Sequence, residues 1–342
     1  MGQSFRGHIQ EGVSLRYDRL KSVVITHGDV DGITSGSIAL LKFPGSSFYF
    51  SKPSQIHSDL FRIAKDEPDV VCISDIAVNS TRFGDIIRAV ERFPQSTEIY
   101  WTEHHPLPQK QKRRLEKRVR LFHEIGPSAA ELMYRRFGDG LPEHALRLAL
   151  YGAIGDYCDT TPFAELQFDN YDKRTLYLEA GLLVQALQEI DYRSESKDLV
   201  YELTIGIEPS SMNNIVELAM KATRIENEVF RYIQKNARKL SRIGYVLDMP
   251  IGGYRGKAAK YAAFVTDSNI GISAKSSEDA IDMSIRRRGV KVDLNRALNS
   301  ILPDLADSHG GGHAAAAGAT MNKNDFPRFL HELAEYVDTN VT

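Results

Sequence analysis

SVVITHGDVDG, residues 22–32, sets an apolar, β-branched run directly before two aspartates and a glycine. Ser22–Thr26 reads as a strand covered on both faces, because such strands are apolar throughout rather than alternating. Its end carries His27-Gly28-Asp29-Val30-Asp31-Gly32, and three further runs end in the same way. Asp69–Ile73 precedes Ser74-Asp75, Glu98–Thr102 precedes Glu103-His104-His105-Pro106, and Ala149–Ile154 precedes Gly155-Asp156. The first three runs are strand-like, whereas Leu146–Asp156 fits a helix equally well. Ligands of open α/β sheets collect outside the carboxyl ends of the strands, so the four clusters are expected in one crevice. Carboxylates and imidazoles crowded there repel one another unless cations neutralise them. An oxygen-rich set of this kind suits hard divalent ions, Mn²⁺ or Mg²⁺, better than zinc in a thiolate cage. The pattern predicts a two-metal site.

A chain of 342 residues is long enough for two domains with separate cores. Its 42% hydrophobic and 26% charged residues are ordinary for a soluble globular protein. No apolar run approaches the roughly 20 residues needed to span a bilayer. The polar stretch Met1–Tyr17 lacks the apolar centre of a signal peptide, so a cytoplasmic location is expected. Cys72 and Cys158 lie in or beside apolar runs, form no metal-type spacing, and are expected to be buried free thiols.

The net charge of −2 gives no global attraction to nucleic acid, but the charge is unevenly spread. PQKQKRRLEKRVR, residues 108–120, contains a single acid, and Arg286-Arg287-Arg288 is followed by Lys291. The first stretch is either the solvated face of a helix or a rail for a phosphate backbone.

Apolar spacing and turn residues predict helices at Thr34–Phe43, Ala77–Phe93, Pro108–Lys117, Ala129–Phe137, Thr175–Ile190 and Lys197–Ile207. Ser128 with Glu131 three residues later has capping-box spacing. Met1–Arg19 reads as a helical or loose lead-in. A long helical pattern, Asn213–Ser241, separates this half from strands expected at Ile243–Met249, Ala259–Thr266, Gly271–Ala274 and Ala280–Ile285. Helices at Val292–Leu302 and Asp325–Val341 complete a small mixed α+β part. GGYRGK at Gly252–Lys257 fails the P-loop spacing and has no Ser or Thr after the lysine.

Taken alone, Asp29-Val30-Asp31-Gly32 is an ordinary Asx turn ending a strand. Asp-x-Asp-Gly, a lone Asp, an acidic-His-His triplet and a late Asp, in that order, resemble the DHH phosphoesterase superfamily. Gly310-Gly311-Gly312-His313-Ala314-Ala315-Ala316-Ala317-Gly318 resembles the GGGHxxAAG element of that family's C-terminal substrate-binding domain. The matches run from about residue 22 to residue 320, and the chain is most similar to the archaeal RecJ-like branch.

The resemblance implies an α/β protein in which a parallel-sheet DHH domain (1–209) is joined by a connecting helix (210–241) to a smaller mixed α+β domain (242–342), with the active-site cleft between them. It implies two Mn²⁺ ions, with Mg²⁺ as the alternative. Asp75 would bridge them, His27 and Asp29 would complete one site, and Asp31, His104 and Asp156 the other. Asp75, His104, His105 and Asp156 would be catalytic, with His105 directed to the phosphate. Arg286 of Ser284-Ile285-Arg286 would grip phosphate, and Gly310, Gly311, Gly312 and His313 would form a nest for a phosphate or terminal nucleotide. The family's triplet begins with Asp where this chain has Glu103, an acid that orients the histidines. Its extra methylene is expected to tilt His104 or weaken one metal, and outer partners of this kind typically matter 10–100-fold.

The implied activity is metal-dependent hydrolysis of single-stranded DNA or RNA from an end, with short oligonucleotides as the rival substrate. A different-class expectation is a RecJ-like scaffold subunit that binds a GINS-type replication complex. No membrane partner is expected.

Overall fold

A computed structural model of the chain describes residues 20–190, 195–312 and 314–340, so the expected lead-in at Met1–Arg19 and the His313 assignment lie outside the described residues. The chain divides into two compact units, Met1–Met220 and Lys221–Thr342.

The first unit is a parallel sheet with helices on both faces. In chain order it contains β1 (Ser22–Thr26), α1 (Val30–Lys42), β2 (Ser47–Phe50), α2 (Ile56–Ile63), β3 (Val70–Ser74), α3 (Phe83–Val90), β4 (Glu98–Glu103), α4 (Gln109–Leu115) and β5 (Arg120–His123). Helices α5 (Ala129–Phe137), α6 (His144–Gly155), α7 (Pro162–Phe168), α8 (Lys173–Ala186) and α9 (Glu195–Thr204) follow. The strand order is β2-β1-β3-β4-β5, with every neighbouring pair parallel. This order reverses between β1 and β3, and the crevice outside the carboxyl ends at such a reversal is where α/β sheets bind ligands.

Successive side chains of a strand point to opposite faces. Val24, Cys72 and Tyr100 accordingly join α1, α5, α6, α8 and α9 in one core. Val23, Ile25, Val71, Ile73, Ile99 and Trp101 join α2, α3 and α4 in the other.

The ambiguous run Ala149–Ile154 lies inside α6, which is buried almost all round at Ala145, Leu148, Ala149, Leu150, Tyr151, Gly152 and Ala153. That burial explains why its sequence shows no helical stripe. Two short edge strands, β2 and β5, are additions to the expected elements. β5 starts at Arg120, so the basic stretch is split between α4 and a strand rather than forming one helix.

The second unit begins in α10 (Asn213–Asn236). This helix gives Ile215 and Ala219 to the first unit's core and Val229 and Ile233 to a cluster of the second. Beyond it lie β6 (Arg238–Leu240), β7 (Ile243–Leu247), α11 (Arg255–Val265), β8 (Ile270–Ser276), β9 (Ala280–Arg287), α12 (Leu294–Ile301), β10 (His309–Gly312), β11 (Ala316–Asn322) and α13 (Phe326–Asn340). Their sheet has the order β10-β11-β9-β8-β7-β6, parallel only between β7 and β8.

Two expectations are corrected here. Ala259–Thr266 is not a strand but the body of α11, whose buried Ala258, Ala259, Ala262 and Ala263 recur at helical spacing. Alanine favours helix, and these pairs let α11 lie close to the sheet. The long helix stops at Asn236 rather than Ser241, because Arg238–Leu240 pairs antiparallel with Ile243–Leu247 around a turn where Ser241 has φ +50°.

Helix α6 owes its position against α1 and α5 to Gly152. A Cβ there would lie 2.5 Å from Ala130 Cβ, 2.6 Å from Thr34 Oγ1 and 2.7 Å from Asp31 Oδ1. Gly152→Val should therefore lower the unfolding free energy by about 1–3 kcal/mol, as overpacking of a close-packed core does. Urea denaturation measures this, and an unchanged midpoint would show that α6 can move away without cost.

Candidate metal centre

The strand ends set the site. Thr26, Ser74 and Thr102 are level across β1, β3 and β4, so His27, Asp75 and Glu103 leave the sheet side by side. Buried hydroxyls tie this edge to α1: Thr26 Oγ1 donates to Gly32 O at 2.6 Å, Ser74 Oγ to Thr26 Oγ1 at 3.2 Å, and Ser35 Oγ to Ser74 Oγ at 2.9 Å. The turn from β1 into α1 is capped by Asp29, whose Oδ1 accepts from Gly32 N at 3.0 Å. Only glycine fits at 32, since a Cβ would meet His27 O at 2.4 Å. Asp75 itself takes a left-handed conformation, φ +54°, where a non-glycine residue is strained.

These elements converge on His104. Its Nε2 lies 3.3 Å from Asp75 Oδ1, 3.6 Å from Asp156 Oδ2 and 3.7 Å from Asp31 Oδ2. Beside it, His27 Nδ1 is 2.9 Å from Asp29 Oδ2 and 3.8 Å from Asp75 Oδ2. All six residues expected to hold metal thus meet, with Asp75 touching both histidines. His105 also has a ring nitrogen within 4.8 Å of ligand atoms of Asp75 and His104. Asp31 is anchored by the amino end of α5, where its Oδ2 accepts from Ala129 N at 2.6 Å and its Oδ1 from Ala130 N at 2.8 Å. Ser128 caps that helix through Glu131 N at 3.1 Å. The Glu131 carboxylate does not close a capping box but takes Thr161 Oγ1 at 2.6 Å.

So many acids in one buried place oppose each other's ionisation. Burial first, then the charges of Asp29 and Asp31, push the Asp75 carboxyl well above the ordinary range. Burial also pushes Asp31 up to about 6, with Asp156 adding to it against the pull of His104. Asp156 is raised by burial and by Asp29. Asp29 goes the other way: burial opposes its charge, but the hydrogen bond and charge of His27 outweigh it.

Asp75 is 3% exposed, and its Oδ2 has no hydrogen-bond donor among the described residues. A buried carboxylate that faces one imidazole with each oxygen, one of them without a donor, amid three more carboxylates, is a donor set that fits divalent cations.

Glu103 is fully buried and turns back along its own strand end. Its Oε1 accepts from His104 N at 2.9 Å, from His105 N at 2.6 Å and from His105 Nδ1. An ionised carboxylate only accepts, so Nδ1 of His105 carries a proton. The carboxylate grips the His105 ring and touches His104 only through its backbone. Burial opposes both charges, yet the pair holds the Glu103 carboxyl below and the His105 imidazole above their usual ranges.

In the second unit, Arg286 on β9 lies against the start of α11 and donates from Nη1 to Ile285 O at 2.9 Å. Gly310, Gly311 and Gly312 form an edge strand paired with β11 rather than a turn-like nest, and Gly312 N donates to Asn295 Oδ1 at 3.2 Å. Within the basic stretch Lys110, Arg113, Arg114 and Lys117 are exposed. Arg118 instead holds the backbone carbonyls of Phe93, Pro94 and Thr97.

Cys158 corrects the expectation of two buried thiols. Cys72 is fully buried, but Cys158 is half-buried, with its Sγ, a His104 ring nitrogen and an Asp156 oxygen all within 4.8 Å of one another. Position two after Asp156 was the only sequence signal for it. Burial first, then Asp156 and Asp31, push this thiol up to about 12.

Two outcomes follow from these charges. An acid raised above its unfolded value costs stability once pH exceeds that unfolded value, near 4, and costs nothing below it. In metal-free protein, Asp75→Asn should therefore raise the melting temperature at pH 7.5, and the gain should vanish towards pH ~4. A histidine raised by its partner stabilises fully below about 6.5 and loses this as pH rises through its folded value. Glu103→Gln should move the His105 titration, followed by NMR, downwards; an unmoved titration would show that Glu103 does not hold its proton.

The DHHA1 domain family matches residues 253–339. RecJ from Thermus thermophilus in complex with Mn²⁺ is similar at 15% identity and a TM-score of 0.62, over 96% of this chain and 53% of that one; this chain spans about half that RecJ's length. An exonuclease RecJ bound to manganese is similar at 17% identity and a TM-score of 0.59, over 93% of this chain and 90% of that one. A pGpG-specific phosphodiesterase from Vibrio cholerae gives 14% identity and a TM-score of 0.57, over 94% and 99%. No curated protein matches the chain. No helix among the described residues is long and apolar enough to cross a membrane. The chain shares its fold with these RecJ and phosphodiesterase structures, and its residues 253–339 match the DHHA1 domain.

Proposed function

We propose that this cluster is the catalytic centre of a metal-dependent phosphodiesterase that removes nucleotides from an end of single-stranded DNA or RNA, as in the archaeal RecJ-like branch. The observation that carries it is the ring of Asp75, Asp156 and Asp31 oxygens at 3.3–3.7 Å around His104 Nε2, with Asp75 Oδ2 left without a donor. His27 and Asp29 would hold one Mn²⁺, Asp31, His104 and Asp156 the other, and Asp75 both; Mg²⁺ is the alternative. The ions would supply the positive charge that makes water nucleophilic near neutral pH and offsets charge on the phosphate.

The chain's own groups do the rest. His105, its imidazole pKa raised by Glu103, would direct its ring to a phosphate oxygen. In the second unit, taken by itself, Arg286 would offer a guanidinium fork to phosphate, and Gly310, Gly311 and Gly312 would let a nucleotide approach the backbone closely. The exposed Lys110, Arg113, Arg114 and Lys117 favour strands longer than a few nucleotides, through contacts that weaken with salt.

Cleavage of short oligonucleotides is the second reading. The similarity to the pGpG-specific phosphodiesterase covers 99% of that chain, against 53% of the Thermus RecJ. End-labelled DNA and RNA, from dinucleotides upwards and digested with Mn²⁺, separate the two. Stepwise shortening of long strands is expected, blocked by chelator. Asp75→Ala should reduce turnover more than about 100-fold, beyond the loss seen for outer partners of a metal site. Turnover confined to di- and trinucleotides would replace the long-strand reading. A folded, Mn²⁺-loaded protein silent on every substrate would leave the scaffold role, with a GINS-type complex as its partner.

A further inference from the structure

Helix α6 ends at Asp156, and the next two residues do not continue away from the site. Tyr157 is left-handed, φ +57°, and Cys158 N donates back to Ala153 O at 2.8 Å. This reversal, normally made by glycine, brings Cys158 Sγ to 3.8 Å from Asp156 Oδ2. The same oxygen is 3.6 Å from His104 Nε2. Ligands sharing one tetrahedral zinc-like ion, with bonds of about 2.3 Å to sulfur and about 2.1 Å to nitrogen and oxygen, stand roughly 3.4–3.6 Å apart. The observed separations are close to that.

A second observation points independently to a cation here. Asp75 Oδ1 is 3.3 Å from the same His104 nitrogen, and the other oxygen of that buried carboxylate has no donor. Cys158 Sγ, a His104 ring nitrogen and an Asp156 oxygen lie within 4.8 Å of one another, and the buried Asp75 carboxylate also reaches His104.

We propose that Cys158 is a ligand in the His104–Asp156 half of the centre, giving that half a site for a thiophilic divalent cation, Zn²⁺, Co²⁺ or Cd²⁺. The inference rests on the metal-centre reading above and adds selectivity to it. Mn²⁺ and Mg²⁺ prefer oxygen and nitrogen, so they leave the sulfur a bystander. A thiophilic ion gains a bond to sulfur: the S–H proton passes to solvent, the sulfur lone pair forms the new bond, and no redox change occurs. Zn²⁺ should consequently displace Mn²⁺ from this half first.

Cobalt substitution of the full chain tests this without assaying activity. Wild-type protein loaded with Co²⁺ should show visible d–d bands together with a near-ultraviolet thiolate-to-cobalt charge-transfer band. Cys158→Ser should lose the charge-transfer band and keep the d–d bands. By calorimetric titration it should bind Zn²⁺ at least about tenfold more weakly, with Mn²⁺ affinity changed by less than about threefold. Wild-type d–d bands without charge transfer would overturn the role of Cys158 and leave the metal centre standing. A charge-transfer band that survives in Cys158→Ser would also overturn it, because Cys72 would be the remaining source. No cobalt binding at all would bring down both readings.

Discussion

Negative charge gathered around one imidazole nitrogen is the constraint to which the first unit is built. Asp31, Asp75 and Asp156 all approach His104 Nε2 within 3.7 Å, and Asp29 stands beside them through His27. In a low-dielectric setting such a group resists ionisation, as the raised carboxyls of Asp75, Asp31 and Asp156 show. The fold accepts this cost and surrounds it with fixed partners. The amino end of α5 supplies two N–H groups to Asp31, whose favourable dipole suits an acid there. Buried hydroxyls lock β1, β3 and α1 together, and Gly152 lets α6 bring Asp156 close. Strain at Asp75 and Tyr157 falls at this same place, as it commonly does where geometry serves function.

In the acidic-His-His triplet the acid is tied to both histidines. With Glu at 103 the carboxylate reaches the backbone N–H groups of both histidines and the Nδ1 of His105. The buried negative charge thereby raises the pKa of the His105 imidazole, while the His104 ring nitrogen faces the aspartates. The other oxygen of Glu103 is left without a donor among the described residues, a cost that a better-filled pocket would avoid. Glu103 thus acts on the His105 imidazole and meets His104 at its backbone.

Strands β1, β3 and β4 and helix α5 were readable because each carries its signal within a few residues: an unbroken apolar run, or a serine cap before a helical stripe. Helix α11 was not, since YAAFV has strand-like bulk and its alanine pairs become meaningful only when a sheet lies beside them. The edge strands β2 and β5 were missed for a related reason. A short strand with one neighbour needs little hydrophobic pattern of its own. The basic stretch likewise divides only in three dimensions, with Arg118 turned to three backbone carbonyls and Lys110, Arg113, Arg114 and Lys117 left on the surface.

Local sequence by itself determined the chemistry of the centre: which residues are acids and imidazoles, that they follow apolar runs, and that an oxygen-rich set calls for a hard divalent cation. Those properties depend on residue type and short-range spacing, which the chain carries before it folds. Only the tertiary structure decided that the His104 nitrogen sits among three aspartates from separate elements. It alone decided that Glu103 serves His105, and that Cys158 returns to Asp156 across a left-handed Tyr157. Those facts depend on strand register, helix approach and a single backbone reversal. They join residues far apart along the chain, or turn a neighbour inward, and neither is encoded in spacing along the chain.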